Sequence, residues 1–247
     1  MSQIFAHRGA SGIYPENTMK AFKEAEKSGC DGIELDVQRT KDGALVIIHD
    51  ETVNRTTDGR GIVAEMTQKQ IRSLDASYNK KKWFSNPKIP LLDEVFEWLH
   101  TNELICNVEL KNDKVRYEGM EEEVLQKIAE YGLSERIILS SFNPDSISLL
   151  RELDSAISIA PIYSKKGVNP LLLATSTCAN AVHANYRVMT PALMDSCQRM
   201  NIPVRLYTLN HEPKISKWML AGLSGIITDY PERVVKIRET ILKGKME

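Results

Sequence analysis

A chain of 247 residues with 42% hydrophobic content, 32 basic and 33 acidic side chains has the material for a large buried core and no excess charge of either sign. That composition excludes a disordered chain, and it disfavours nucleic acid or an anionic membrane as partner, because any anionic ligand must be met by a few local groups. Cys30, Cys106, Cys178 and Cys197 lie far apart, without CxxC spacing or a companion histidine cluster, and are expected to be reduced and mostly packed. No stretch reads as a signal peptide or a membrane span, so a cytoplasmic location without integral membrane association is expected.

In chain order, short apolar runs rich in Val and Ile alternate with segments of helical spacing. Strands are predicted at IFAHR from Ile4, GIELDV from Gly32, LICNVEL from Leu104, RIILSSF from Arg136, AISIAPIY from Ala156, NAVHANY from Asn180, PVRLYTL from Pro203 and SGIITD from Ser224. Helices are expected to begin near Asn17, Leu92, Tyr117, Asn143, Asn169, Thr190, Glu212 and Pro231. Eight of each at this length predict an α/β fold, a (β/α)8 TIM barrel, with residues 1–247 as one domain. Asn17 is expected to cap the first helix and Gly29 to end it, while Gly9 and Gly12 let the backbone turn after the first strand.

Residues 51–90 break the alternation. They carry TTDGRG, a short helical segment near Thr67 to Leu74, and the basic-aromatic run KKKWF from Lys80, which reads as a solvated face with an aromatic anchor or as a lid. This is a small inserted region above the barrel, after the hairpin of the second strand.

Barrels of this kind carry their chemistry at the carboxyl ends of the strands. His7 and Arg8 end the first strand, Glu34 and Asp36 the second, Glu109 and Lys111 the third, and Asp229 the last. Alternate residues of a strand share a face, so Glu34 pairs with Asp36 and Glu109 with Lys111. Three carboxylates that converge without Cys or paired His ligands select a hard divalent cation, Ca²⁺ or Mg²⁺. The alternative is a rim of ion pairs, with Glu34 matched to Arg39 or Lys111.

Asp42-Gly43 is a hairpin signal. A two-residue loop there sets Asp36 opposite His49, which would return His49 to the carboxylates. Arg8, Lys111 and a cation can neutralise a phosphodiester, and His7 and His49 can act as acid and base. Of the other histidines, His100 and His211 read as solvated or capping groups, and His183, inside its strand, reads as a satisfied core residue in preference to one that touches the pocket.

Across its whole length the chain resembles the glycerophosphodiester phosphodiesterases of the bacterial cytosolic type. The resemblance is carried, in order, by HRG at His7, PENT at Pro15, ELD at Glu34, TKDG at Thr40, HD at His49, RTT at Arg55, WF at Trp83, IPLLDEV at Ile89, VELK at Val108, SF at Ser141 and GIITDYP at Gly225. It implies one divalent cation, Ca²⁺ or Mg²⁺, on Glu34, Asp36 and Glu109, with His7 and His49 as the acid–base pair. It also implies substrate contacts by Arg8, Lys111, Phe142 and Tyr207. The implied reaction is hydrolysis of glycerophosphodiesters, such as glycerophosphocholine or glycerophosphoethanolamine, to glycerol 3-phosphate and an alcohol. A glycerol hydroxyl or a metal-activated water is the nucleophile. Tyr207 stands where many relatives have tryptophan, and HANY lacks the proline that often follows its histidine, which bears on headgroup preference.

Two other readings stay open. A lysophospholipase D or phospholipase C-like enzyme would need an apolar rim, for which Ile62, Val63, Met66, Trp83 and Phe84 are the material. A non-catalytic phosphodiester-binding protein would more naturally have lost His7 or His49. The sequence shows no interface signature, and monomer and homodimer remain equally open.

Overall fold

The computed structural model describes residues 1–77 and 86–244. In chain order its elements are β1 Gln3–His7, α1 Met19–Lys27, β2 Gly32–Arg39, β3 Leu45–Ile47, α2 Gln68–Ser73, α3 Leu92–Leu99, β4 Ile105–Leu110, α4 Met120–Glu130 and β5 Ile137–Ser141. They continue as α5 Pro144–Leu153, β6 Ser158–Tyr163, α6 Pro170–Ser176, β7 Val182–Asn185, α7 Pro191–Arg199, β8 Val204–Tyr207, α8 Glu212–Leu220, β9 Gly225–Thr228 and α9 Pro231–Lys243. All eight predicted strands form, and they run parallel in a closed sheet in which β1 pairs with both β9 and β2. The fold is the expected TIM barrel.

Both faces of these strands are buried, which is why they read as apolar runs. In β1, Ile4 and Ala6 pack outward with Phe22 and Ala25 of α1, while Phe5 points inward against Ile138, Ala160, Ala181 and Ile227. Among the described residues no helix is long and apolar enough to cross a membrane.

The start of α1 departs from expectation. Thr18 is the cap, its hydroxyl accepting from the amide of Ala21 at 3.2 Å. Asn17 instead takes a left-handed φ of 54° and donates its side-chain amide to Asp36 Oδ2 at 2.8 Å. Two adjacent residues could both cap the helix, and the tertiary contact decided between them.

The hairpin register is also shifted by one residue. Val37 pairs with Ile47, Gln38 with Val46 and Arg39 with Leu45, so Asp36 lies opposite Ile48 rather than His49. The loop holds Lys41, Asp42 and Gly43: the Thr40 amide donates to Ala44 O, the Gly43 amide donates to Thr40 O, and Gly43 closes it at φ 90°.

Alternation along β3 divides its side chains between two cores. Leu45 and Ile47 join the barrel's outer layer, whereas Val46 and Ile48 pack with Val53, Val63, Ile71, Ala76 and Ile89 of the inserted region. The predicted short helix there is α2, capped by Thr67. KKKWF, with Trp83 and Phe84, lies outside the described residues.

Candidate active site

β1 delivers His7 and Arg8 to the barrel mouth through a tight turn. Arg8 and Gly9 both have left-handed φ, 55° and 76°, and a Cβ on Gly9 would lie 2.6 Å from the Ala21 carbonyl carbon. The turn aims the Arg8 amide at Glu34 Oε2, 2.8 Å away. Gly12 serves a different purpose from the one expected: its φ is not left-handed, and a Cβ there would sit 2.3 Å from the Tyr230 ring. It permits close packing rather than a turn.

Glu34, Asp36 and Glu109 each bring a carboxylate oxygen within 4.8 Å of the others, at 3%, 1% and 9% exposure. Burial first, then the charges of Asp36 and Glu109, push Glu34 well above the usual carboxylate range. Burial likewise raises Glu109, against the opposing pull of Lys111. Burial would raise Asp36 too, but Arg8, His49, Lys111 and Asn17 together bring it below its ordinary value. The alternative rim pairs do not form: Arg39 meets Glu123 at 3.5 Å, and Lys111 meets Glu109 at 2.8 Å. Asp36 Oδ1 accepts no hydrogen bond among the described residues. An all-oxygen set of buried, mutually repelling carboxylates with an orphaned oxygen fits a hard divalent cation.

His49 reaches the mouth by a route the sequence concealed. The chain leaves the β2–β3 ladder after Ile48, and the buried amide of Gln38 lies 3.2, 3.0 and 2.6 Å from the carbonyls of Ile48, His49 and Asp50. Tyr117 holds the other end of that amide, its hydroxyl donating to Gln38 Oε1 at 3.0 Å. The curl turns His49 back, with Nδ1 on Asp50 Oδ1 at 2.7 Å and Nε2 3.4 Å from Lys111 Nζ. An ammonium only donates, so Nε2 carries the lone pair and Nδ1 the proton. Burial pushes the His49 pKa below its ordinary value, helped by Arg8 and Lys111 and opposed by Asp36. His7 is backed in the same way, Nδ1 on Asp229 Oδ1 at 2.7 Å, with Asn210 Nδ2 on Asp229 Oδ2 at 2.5 Å.

A cavity of about 170 Å³ opens between these groups, bordered by His7, Arg8, Glu34, His49, Glu109 and the aromatic pair Phe142–Tyr207. The two rings meet edge to face at 6.2 Å, and Lys111 Nζ lies 5.6 Å from the Phe142 centroid. The nine site residues expected from sequence therefore cluster, with Asp36 and Lys111 set behind the cavity wall. A larger cleft of about 480 Å³ between α1 and α9 contains neither His7 nor His49.

Glu16, Asp50 and Arg55, carried by PENT, HD and RTT, have no role that the sequence alone reveals. Arg55 holds Asp50 Oδ2 at 2.6 Å and both oxygens of Glu16, and Glu16 holds Arg8 at 2.8 Å. His183 is buried in its strand and also borders the cavity, the second of its two readings, and its Nδ1 has no partner among the described residues. His100 ends α3 and stacks on Tyr131, and His211 precedes α8, both away from the cavity.

Comparison with known proteins gives this geometry its context. Residues 7–233 match the model of the glycerophosphoryl diester phosphodiesterase family. A glycerophosphodiester phosphodiesterase of Caldanaerobacter subterraneus subsp. tengcongensis is 40% identical over 95% of this chain and 96% of its own. One from Bacillus altitudinis is 40% identical over 97% of this chain and 99% of its own. Among solved structures, an Oleispira antarctica phosphodiesterase in complex with its product sn-glycerol-3-phosphate superposes with a TM-score of 0.86 at 27% identity, covering 97% of each chain. A glycerophosphodiester phosphodiesterase from Agrobacterium tumefaciens does so at 0.83 and 26%, covering 97% of this chain and 100% of that one. The chain thus belongs to the glycerophosphoryl diester phosphodiesterase family and is an enzyme of that class.

Proposed function

We propose that this enzyme hydrolyses glycerophosphodiesters, glycerophosphocholine and glycerophosphoethanolamine among them, to glycerol 3-phosphate and an alcohol. The observation that carries the reading is the cluster, at one cavity and directly behind its wall, of three buried carboxylates, two cationic side chains and two imidazoles that each lean on a carboxylate. The product bound to the Oleispira antarctica relative supports the same substrate class. Glu34, Asp36 and Glu109 would hold one Mg²⁺ or Ca²⁺, which when bound supplies positive charge to the phosphoryl oxygens.

The chain's own side chains divide the remaining work. Arg8 meets the phosphate as a fixed cation and Lys111 adds its charge from behind the cavity wall, both kept charged by the carboxylates around them despite burial. His49, neutral with its lone pair on Nε2, where Lys111 approaches at a long 3.4 Å, takes the proton of the attacking oxygen. His7, when protonated on both nitrogens with Nδ1–H on Asp229, gives its Nε2 proton to the departing alcohol and is left as the neutral imidazole. Phe142 and Tyr207 form an apolar wall for the carbon skeleton.

Of the apolar candidates for the lipid reading, Val63 is fully buried and Met66 packs on the same small cluster, Ile62 is exposed, and Trp83 and Phe84 lie outside the described residues. Four free cysteines, three of them buried, suit a reducing compartment and support a cytoplasmic enzyme, acting as monomer or homodimer. The test is release of glycerol 3-phosphate from a glycerophosphodiester panel with Mg²⁺ or Ca²⁺, abolished by chelator. Inactivity on the whole panel with every metal tried sinks the proposal.

A further inference from the structure

We infer that Asn112, tied to Glu121 of α4, is a positioning residue that holds Lys111 against Glu109 and His49. This role rests on the glycerophosphodiester reading above, in which Lys111 supplies charge to the phosphate, and deepens it.

The β4–β5 ladder runs from Cys106–Ile137 to Glu109–Ser140. Past that rung, the strand ends that carry Lys111 and Phe142 are joined through side chains. Ser141 Oγ lies 3.0 Å from Leu110 O and 2.8 Å from Asn112 Oδ1, and it accepts from the Asn143 amide at 3.0 Å. The side-chain amide of Asn112 donates to Glu121 Oε1 at 2.9 Å and to Ser146 Oγ of α5 at 2.8 Å. Asn112, Glu121, Ser141 and Ser146 are all buried.

Glu121 sets the direction of these bonds. Its Oε1 also accepts from Arg116, whose guanidinium has no acceptor, so that oxygen must face the amide hydrogens of Asn112. Both hydrogens are then used, and Oδ1 is left facing the Ser141 hydroxyl. One side chain is thereby fixed to α4, α5 and the end of β5 at once. The Asn112–Glu121 bond also closes, at its base, the largely exposed loop between β4 and α4.

Stability alone does not account for a carboxylate here. Glu121 is fully buried, and its Oε2 has no hydrogen-bond partner among the described residues. Such a group is costly to bury, and an apolar side chain would fill the same space at less cost. What the carboxylate supplies is an acceptor that orients Asn112. The residue before Asn112 is Lys111, whose Nζ lies 2.8 Å from Glu109 Oε1 and 3.4 Å from His49 Nε2. An ammonium on a flexible four-carbon stem stays in such a place only where the backbone presents it correctly.

The test is a double-mutant cycle on kcat/KM for glycerophosphocholine, expressed per folded molecule. N112L removes the three side-chain bonds at similar volume and should lose about 10- to 100-fold. Because Asn112 acts through Lys111, adding N112L to K111M should cost at most about a further twofold, whereas a merely structural role multiplies the two losses. E121Q keeps an acceptor for Asn112 and should retain most of the activity, while E121L removes it and should match N112L. If N112L does not fold, S141A takes its place in the cycle, with an expected loss of about 3- to 10-fold on its own and none beyond about twofold in K111M. Full activity of N112L, multiplied losses in the double variant, or equal losses in E121Q and E121L overturn the positioning role and leave the phosphodiesterase reading intact. Absence of turnover by the wild-type enzyme on every glycerophosphodiester overturns that reading and this role with it.

Discussion

Lys111 Nζ lies 3.4 Å from His49 Nε2, a contact that is favourable only while the imidazole is neutral. Burial, Arg8 and Lys111 all depress the His49 pKa, and together they outweigh Asp36. A base with a lowered pKa stays deprotonated at neutral pH, and its activity is lost only as pH falls through that lowered value. The acid limb of kcat/KM is therefore expected below pH 6.5. Lys111→Met removes one of the depressing charges, so the limb of its residual activity should move to higher pH. A limb that stays in place or moves lower would take the role of titrating base away from His49.

His7 should show the complementary behaviour. Asp229 accepts its Nδ1 proton at 2.7 Å, which orients the ring and supports the doubly protonated form whose Nε2–H is the proton given up. Asp229→Asn removes the carboxylate charge that supports the doubly protonated ring, and kcat should fall by about 10²- to 10⁴-fold. A donor to the leaving oxygen matters little when that oxygen is a good leaving group. His7→Ala should therefore recover on a p-nitrophenyl glycerophosphodiester relative to glycerophosphocholine, while His49→Ala should not. Recovery by His49→Ala and none by His7→Ala would exchange the two roles.

The barrel was legible because its strands are buried on both faces and its acidic and basic residues sit at strand ends, a pattern carried by local sequence. What escaped depended on distant partners. Asp42-Gly43 suits both a two-residue loop and a three-residue loop closed by glycine, so the sequence could not fix the register, and His49 reached the site through Gln38 instead. Asn17 looked like a cap because nothing local reveals Asp36 beside it. Sequence leaves His183 between core and pocket because the arginine beside it on β8 is a fact set by strand pairing alone.

Arg55 couples the two halves of the mouth. It joins Asp50, which backs His49, to Glu16, which holds Arg8. Arg55→Ala should lower kcat/KM by about 10- to 100-fold, as loss of an outer partner of a working group typically does. Lys at this position cannot span two carboxylates with a planar fork, so Arg55→Lys should recover only part of the loss. The melting temperature should change little, since Arg55 is partly exposed. Full activity in Arg55→Ala would show that His49 and Arg8 hold their positions unaided.

The carboxylate cluster predicts opposite effects with and without metal. Binding of a cation to the folded state alone stabilises it, by about 2.7 kcal/mol at a hundredfold excess over Kd. Glu34→Gln removes a ligand and should shrink the rise in Tm on adding Mg²⁺ or Ca²⁺. It also relieves repulsion among buried carboxylates, so in chelator its Tm should equal or exceed that of the wild type. An undiminished cation-dependent rise in Glu34→Gln would place the metal elsewhere.

Gly9 and Gly43 separate a conformational requirement from a packing one. Both have left-handed φ, 76° and 90°. A methyl at Gly43 meets nothing within 4 Å, whereas at Gly9 it would press on the backbone of Ala21 at 2.6 Å. Gly43→Ala should cost only the left-handed penalty, about 1–2 kcal/mol, and keep its activity. Gly9→Ala adds an overpacking term, for a total of about 3 kcal/mol or more. Relief of that clash must move α1 or the turn that aims the Arg8 amide at Glu34, so the folded fraction should also lose activity. Urea melts and specific activity per folded molecule check both statements. Equal destabilisation by the two substitutions, with activity preserved in each, would mean that α1 yields freely and that the joint at Arg8–Gly9 does not set the geometry of the site.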